Sequence, residues 1–379
     1  MDPRRLALDA LMEVDRGAQA DAILRRAGRQ LDARDAALAT ELTYGVLRRR
    51  NQVDWLIEKA ATRPLDAIQP PIVLQVLRLG VYQMRFLTRI PMHAAVNETV
   101  ELVKRVKRHG AAGFVNAVMR RIPQRPKPWA SPALEYSLPL WLAERWMARF
   151  GAETMEKLGP ATLREPWVWV RVPPGSEVPA NWKPSGVAGA YVARDGETHG
   201  FRRMDIGAQS LLPLLDLQPG QRFLDVCAAP GNKTAQALES GVVAVACDSS
   251  GRRLREFLLP DCPRVQADAA QPLPFGPVFD RILVDAPCSG TGTLGRNPEI
   301  RWRIQPEELA LHADRQRAIL RNALACLKPG GQLVYATCSL EPEENEEVVQ
   351  AVAADRVRQT ALRIPGVDPG DGFFAALLQ

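Results

Sequence analysis

The first 122 residues repeat apolar side chains at helical spacing: Leu38, Leu42 and Val46, then Val73, Leu77, Val81 and Met84, then Val96, Val100 and Val103. Intervals of three and four put such residues on one face of a helix, so this stretch predicts a bundle of amphipathic helices. Asp35 and Asn97 have the chemistry of helix starts, and Pro64, Pro70, Pro71 and Pro91 punctuate the gaps. The proline-dense run PQRPKPWASP (123–132) predicts an extended linker or strap. Residues 133–151 predict one more amphipathic helix, stopped at Gly151. Residues 166–172 alternate with period two and predict a strand, with Trp167 and Trp169 on one face. Such a pair packs into a core more often than it stacks on bases.

From about residue 205 the texture changes to short apolar runs alternating with helical patterns. RFLDV (222–226), VVAVAC (242–247), RVQA (264–267), RILV (281–284) and QLVYAT (332–337) predict five strands. Strand–helix alternation predicts a parallel, doubly wound sheet, whose ligands bind beyond the carboxyl ends of the strands. Cys227, Asp248, Asp268, Asp285 and Cys338 each stand at such an end. The chain is therefore expected to be α/β overall, in three parts: an all-α bundle (1–127), a linker with a small α+β subdomain (128–204) and a Rossmann-like domain (205–379).

Charge sharpens this division. Residues 1–130 carry 23 Lys and Arg against 13 Asp and Glu, while the whole chain of 379 residues has a net charge of +6. A basic first third suggests a polyanion-binding module, with clusters at Arg48–Arg50, Lys104–Arg108 and Arg120–Arg121. A merely solvated face is the plainer explanation of any single cluster. No apolar run reaches the roughly 18–20 residues that span a bilayer, and MDPRRLALDALMEVDRG lacks the apolar centre of a secretory signal. All six Cys lie beyond residue 226, without a C-x-x-C pair, and the chain has only four His. These features point to the reducing cytoplasm, away from a disulfide framework, a metal site or a membrane.

The turn after the first of the five strands reads Cys227-Ala228-Ala229-Pro230-Gly231-Asn232-Lys233. Small residues there let backbone N–H groups approach a ligand at a helix start. A phosphate-binding P-loop needs glycine where Cys227 and Asn232 stand, and no G-x-G-x-x-G is present. Asp248 is placed to accept from ribose hydroxyls, and Asp268 from an adenine amino group. A nucleoside site without a phosphate cradle favours S-adenosylmethionine over NAD or ATP, although a helix cap explains any single one of these Asp residues as well.

A second loop, Asp285-Ala286-Pro287-Cys288-Ser289-Gly290-Thr291-Gly292, sets a carboxylate and a thiol beside two glycines. A single cysteine at a strand end is usually an inert core residue, but Cys288 and Cys338 flank one crevice. A thiolate suits addition to an electron-poor ring. Addition at C6 of cytosine, with a proton delivered to N3, makes C5 nucleophilic enough to take a methyl group; a base must then remove the C5 proton.

LDVCAAPGNKT, DAPCSGTGTLGRNPEIRW, ATCSLEPEENEEVV and DGFF resemble the RNA cytosine-C5 methyltransferases. ARDAALATELTYGVLRRRNQVDWLI and HGAAGFVNAVMRRI resemble the NusB-like RNA-binding domain that precedes the catalytic domain in the bacterial 16S ribosomal RNA enzymes of the Fmu/Sun type. The resemblance covers nearly the whole chain and is weakest from about 152 to 200. It implies an S-adenosylmethionine-dependent RNA methyltransferase, monomeric, with no metal, acting on 16S ribosomal RNA free or partly assembled. It implies Cys338 as the nucleophile on C6, Cys288 as the residue assisting proton removal and release, and Asp285 as the group holding the base edge and donating to N3. Residues 227–233, Asp248, Asp268 and Asp285 would line the cofactor site. Asn232 stands where the family usually has glycine, and could narrow the cofactor turn or add a hydrogen bond.

Two readings remain beside this one. A non-catalytic RNA-binding assembly factor could be built from the same modules, and a related enzyme could act on another RNA such as transfer RNA. An amino-group methyltransferase would need an aromatic residue where Cys288 stands.

Overall fold

A computed structural model describes residues 2–126, 128–193, 196–257, 259 and 261–379; Lys127, in the proline-rich run, lies outside them. The chain divides into two compact units, Met1–Arg164 with Asn297–Arg303, and Glu165–Arg296 with Ile304–Gln379.

The first unit is helical, as its periodicity predicts. Its central helix, Pro71–Phe86, buries side chains on nearly every side, as a helix surrounded by others must. Gly45 and Gly80 allow close approach there: a Cβ at Gly45 would lie 2.0 Å from the Tyr82 ring, and one at Gly80 2.3 Å from Thr99. The buried cation Arg78 on that helix is matched by Asp54 through two bonds of 2.7 Å.

Several local expectations are corrected here. The helix Ala33–Arg48 is capped by Asp32, whose Oδ1 accepts from Asp35 N at 2.8 Å, and Asn97 lies inside the helix Met92–Arg105. The helix placed at 133–151 starts at Leu140 after a single turn at Pro132–Glu135; Gly151 (φ 74°) interrupts it, and it resumes to Thr162. The first basic cluster does not face solvent as a group. Arg48 is 8% exposed, with its guanidinium over the Tyr44 ring. Arg49 lies over Phe86, and Arg50 pairs with Asp15 at 3.1 Å and lies over Trp302. These cations belong largely to the packing of the bundle.

The second unit begins with a small antiparallel sheet of β1 (Trp169–Arg171), β2 (Lys183–Pro184), β3 (Ala190–Val192) and β4 (Arg202–Arg203), ordered β2-β3-β1-β4. Trp169 is buried and Trp167 is 65% exposed, so the expected shared face is not formed: the strand begins only at Trp169. The main sheet comprises β5 (Arg222–Asp225), β6 (Val243–Asp248), β7 (Arg264–Gln266), β8 (Phe279–Asp285), β9 (Leu327–Thr337), β10 (Val357–Arg363) and β11 (Phe373–Leu378). Their order is β10-β11-β9-β8-β5-β6-β7. The five strands read from the sequence are parallel, while β10 and β11 add an antiparallel hairpin, so the sheet is mixed. Phe373 and Phe374 lie within that hairpin. Both sheet faces are buried. Leu224, Ile282 and Leu333 meet the helices Pro306–Leu324 and Glu346–Ala353 on one side, and Phe223, Leu283 and Val334 pack on the other. Near-continuous apolar strands follow from that double burial.

The chain runs β5 to β6 to β7 in one direction, then returns to β8 and β9 on the other side of β5. The carboxyl ends of β5 and β8 therefore form the topological switch point where such sheets bind ligands. No helix among the described residues is long and apolar enough to cross a membrane.

Candidate active site

After β5 the chain turns through residues 227–231 into the helix Asn232–Leu238. Gly231 has φ 105°, and a Cβ there would come within 2.8 Å of the Phe257 ring, so both backbone and packing require glycine. Ala228 N donates to Cys247 O at 2.8 Å and Ala229 N to Asp248 Oδ2 at 3.1 Å, tying the turn to the end of β6. Thr234 Oγ1 donates to Asp225 Oδ2 at 2.7 Å, fixing the first helical turn to β5.

A cleft of about 360 Å³ opens at these strand ends, within the ordinary size range of small-ligand sites. Cys227, Ala229, Lys233, Asp248, Asp268, Asp285, Cys288 and Cys338 line it. Ala228, Pro230, Gly231 and Asn232 shape the turn without lining the cleft. Asn232 Nδ2 reaches the Arg203 carbonyl at 3.5 Å, so its side chain adds a hydrogen bond to the β4 edge.

The acidic residues are held by their neighbours. Asp248, 4% exposed, accepts from Ala229 N and, through Oδ1, from Ser250 N at 2.8 Å. Asp268 Oδ1 accepts from Ala270 N at 3.1 Å and from Arg315 at 2.7 Å. Asp285 pairs with the Lys233 ammonium. Burial works against the charge on Lys233, but Asp285 and then Asp225 outweigh it and raise its pKa.

Cys288 and Cys338 stand with their sulfurs 3.3 Å apart. Their loops are laced together. Ser289 Oγ lies 3.2 Å from Ser339 Oγ, Thr291 Oγ1 accepts from Leu340 N at 2.9 Å, and Gly292 N donates to Cys338 O at 3.0 Å. Beneath them the buried Glu344 accepts from Ser289 N at 2.8 Å and from Gln316 Nε2 at 3.1 Å. Asn345 accepts from Thr337 Oγ1 at 2.5 Å and donates to Ser339 O at 2.9 Å. A Cβ at Gly292 would lie 2.6 Å from Gly372 O and 2.9 Å from Cys338 O, so this crossing also needs glycine. The Cys288 thiol is pushed well above its ordinary range, first by its hydrogen bond to Cys338, then by burial, then by Cys338, Glu344 and Asp285. Burial, with Asp285 and Asp225, does the same to Cys227, which lines the cleft as a neutral thiol.

Sequence reasoning misses part of the lining. Asp205, Arg253, Arg296, Arg315, Asp371 and Phe373 contribute to the cleft or its bracing. Arg296 joins Asp205 at 3.0 Å and Asp371 at 2.7 Å. DGFF stands out as a motif, but nothing local marks Asp205 as the residue it meets.

A nucleoside donor fits this arrangement: a small-residue turn opens beside Asp248, and Asp268 keeps its Oδ2 without a partner among the described residues. Together with the switch-point sheet, this defines a Rossmann-like methyltransferase domain, preceded in the chain by an all-helical unit. Residues 212–379 match the 16S rRNA methyltransferase RsmB/F family, and residues 1–124 the NusB family. The chain is 33% identical to the ribosomal RNA small subunit methyltransferase B of Klebsiella pneumoniae, over 99% of this chain and 97% of that one. It is 35% identical to the protein of the same name from Vibrio cholerae, over 100% and 97%. The solved structure of PH0851, 21% identical, shows the same fold with a TM-score of 0.82 over 100% of this chain and 98% of that one. The chain belongs to the ribosomal RNA small subunit methyltransferase B family. It is an RNA methyltransferase, and S-adenosylmethionine is its methyl donor.

Proposed function

We propose that the protein methylates C5 of an exposed cytosine in 16S ribosomal RNA through a covalent bond from Cys338 to C6, acting as a monomer in the cytoplasm. Residues 1–127 serve RNA binding, 128–204 add a small RNA-contacting subdomain, and 205–379 carry out the chemistry. What carries this reading is the pair of sulfurs 3.3 Å apart in a cleft that also holds the Lys233–Asp285 pair.

The residues divide the work by their surroundings. Resemblance to the RNA cytosine-C5 methyltransferases favours Cys338, in the Thr337-Cys338-Ser339 turn, as the sulfur that adds to C6. Asp285 holds the N3 edge, and the proton delivered there comes from the Lys233–Asp285 pair. S-adenosylmethionine, when bound by the 227–233 turn, Asp248 and Asp268, supplies an electrophilic methyl group. Once Cys338 is bonded to carbon, the hydrogen bond that most raises Cys288 is gone. Cys288 then passes its own proton to the Lys233–Asp285 pair, which has donated one to N3, and as a thiolate takes the C5 proton. The C6–S bond breaks with its electron pair returning to Cys338, and N3 releases its proton as the methylated RNA leaves.

The test is methyl transfer from labelled S-adenosylmethionine to protein-free 16S RNA by wild type, Cys338→Ala and Cys288→Ala, with covalent adducts scored on a denaturing gel. Both variants should lose turnover, and only Cys288→Ala should accumulate an adduct. An adduct trapped only in Cys338→Ala would reverse the two roles. Cofactor binding by wild type without transfer to this RNA would point to another RNA or to a non-catalytic assembly role.

A further inference from the structure

The first unit contains a second cavity, of about 420 Å³, lined by Arg49, Arg125, Arg164, Trp129, Tyr136 and Glu135 among others. Its lining sets three guanidinium groups against one carboxylate, and that carboxylate already accepts from Trp129 N at 3.1 Å. The guanidinium groups of Arg49 and Arg125 lie over the same Phe86 ring, 5.0 Å and 4.9 Å from its centre. Among the described residues the Arg49 side chain is otherwise bonded to the neutral Gln52, at 2.9 Å, and neither Arg125 nor Arg164 makes an ion pair with a described residue. Burial lowers the pKa of Arg49, and Arg125 and Arg48 lower it further against the opposing pull of Tyr82 and of Glu41, which accepts from the Tyr82 hydroxyl. Like charges gathered over one ring, in a lining whose single carboxylate is already engaged by a backbone N–H, are the arrangement an anion relieves.

The aromatic residues are held in place. Trp129 meets Trp55 edge to face at 5.7 Å, and Tyr136 lies against bare Gly159, where a Cβ would fall 2.2 Å from the ring. Cations beside fixed aromatic faces are the combination that binds single-stranded nucleic acid, through phosphate contacts and base stacking. The proline-rich run between the helices supplies Arg125 and Trp129 and so forms one wall of the cavity.

We propose that this cavity is a second RNA-contact site that takes one nucleotide of single-stranded RNA, its phosphates against Arg49, Arg125 and Arg164 and its base against Trp129 and Tyr136. The proposal rests on RNA being the substrate but not on how the cysteines act. It explains a motif the methyl-transfer chemistry leaves unused, because the proline-rich run reads at first as a mere linker.

The test measures binding of a short labelled oligouridylate, which offers no cytosine to the methyltransferase cleft, to the full chain by fluorescence anisotropy across salt concentrations. Arg125 and Arg164 are both exposed, so their replacement by alanine leaves the bundle intact. The double variant Arg125→Ala/Arg164→Ala should bind about ten-fold more weakly near 0.1 M salt, with a salt slope shallower by roughly 0.7 for each phosphate no longer neutralised. Trp129→Leu should bind about ten-fold more weakly through weaker stacking, without a change of slope. Arg125→Lys should keep the slope. All three variants should still methylate protein-free 16S RNA at saturation, with a raised KM for the double variant and for Trp129→Leu. A double variant whose affinity and salt slope equal those of wild type would overturn the proposal. So would an equal loss of affinity with an unchanged slope, which would mean a packing role. Failure of the wild type to transfer methyl groups would strike the enzymatic reading alone, since the anisotropy slopes would still report on the cavity.

Discussion

Asp225 shows how one buried carboxyl can set a pH dependence. It is 1% exposed, and its Oδ1 has no partner among the described residues. Burial pushes it up to about 6 from an ordinary value of 3.8; Asp285 and Asp248 add to the rise, and Thr234 and Lys233 oppose it. A raised acid binds its proton more tightly in the folded chain than in the unfolded one. Its contribution to stability is therefore complete below about pH 4 and is lost as pH rises through about 6. The size is on the order of 3 kcal/mol for a shift of about two units. Asp225→Asn should flatten this part of the profile. Urea denaturation of both proteins between about pH 4 and 8 should show wild type losing stability relative to the variant as pH rises. A difference that is constant with pH, or that grows in the other direction, would show that Asp225 is already ionised in the folded state at low pH.

At the scale of elements, the short helix Ile300–Arg303 belongs to the helical unit although it follows the Cys288 loop in sequence. Its Arg301 is fully buried and donates to the carbonyls of Arg48 at 3.2 Å, Ser137 at 3.0 Å and Thr162 at 2.8 Å. Arg48 and Thr162 end two helices, where a cation meets unpaired carbonyls and the negative end of the dipole. Burial, then Arg48 and Arg49, bring Arg301 down to about 9. Arg301→Met should destabilise this unit by roughly 3 kcal/mol, because buried carbonyls lose a charged donor. Hydrogen exchange in the helices Ala33–Arg48 and Leu140–Thr162 should quicken first; unchanged protection there would reject the capping role. Neighbouring residues do not reveal this contact. NPEIRW is legible only as a motif, because its partners are backbone groups from 139 to 253 positions earlier in the chain. Periodicity, by contrast, exposes the five parallel strands, since each is an apolar run bounded by turn residues. It misses the hairpin β10–β11, whose outer strand is mostly exposed and carries no apolar signature.

For the molecule as a whole, the candidate site is legible wherever chemistry sits at a strand end. Cys227, Asp248, Asp268, Asp285 and Cys338 end or closely follow their strands, so topology alone gathers them. The buried braces are not legible: Glu344 and Asn345 lie in an acidic run that looks like a solvated surface, and Arg48–Arg50 reads as an RNA-facing cluster while being drawn into the bundle. What this machinery requires of its substrate follows from the same geometry. Cys288 and Cys338 are only partly exposed and lie inside the cleft, so under the proposed reaction a cytosine must leave its stack to reach them, at a cost of a few kcal/mol for a paired base. Single-stranded or incompletely folded RNA lowers that cost, whereas ribosomal proteins and tertiary packing in a mature subunit raise it. On the same proposal, the basic amino-terminal third, with 23 Lys and Arg against 13 Asp and Glu in residues 1–130, would add sequence-independent affinity for exposed phosphates. Single-turnover methyl transfer should therefore be faster on protein-free or partly assembled 16S RNA than on the mature small subunit. Salt should slow it most at subsaturating RNA, where phosphate contacts limit capture. Equal rates on naked RNA and mature subunit would mean that unstacking is not limiting, and that the target cytosine is already presented by the assembled ribosome.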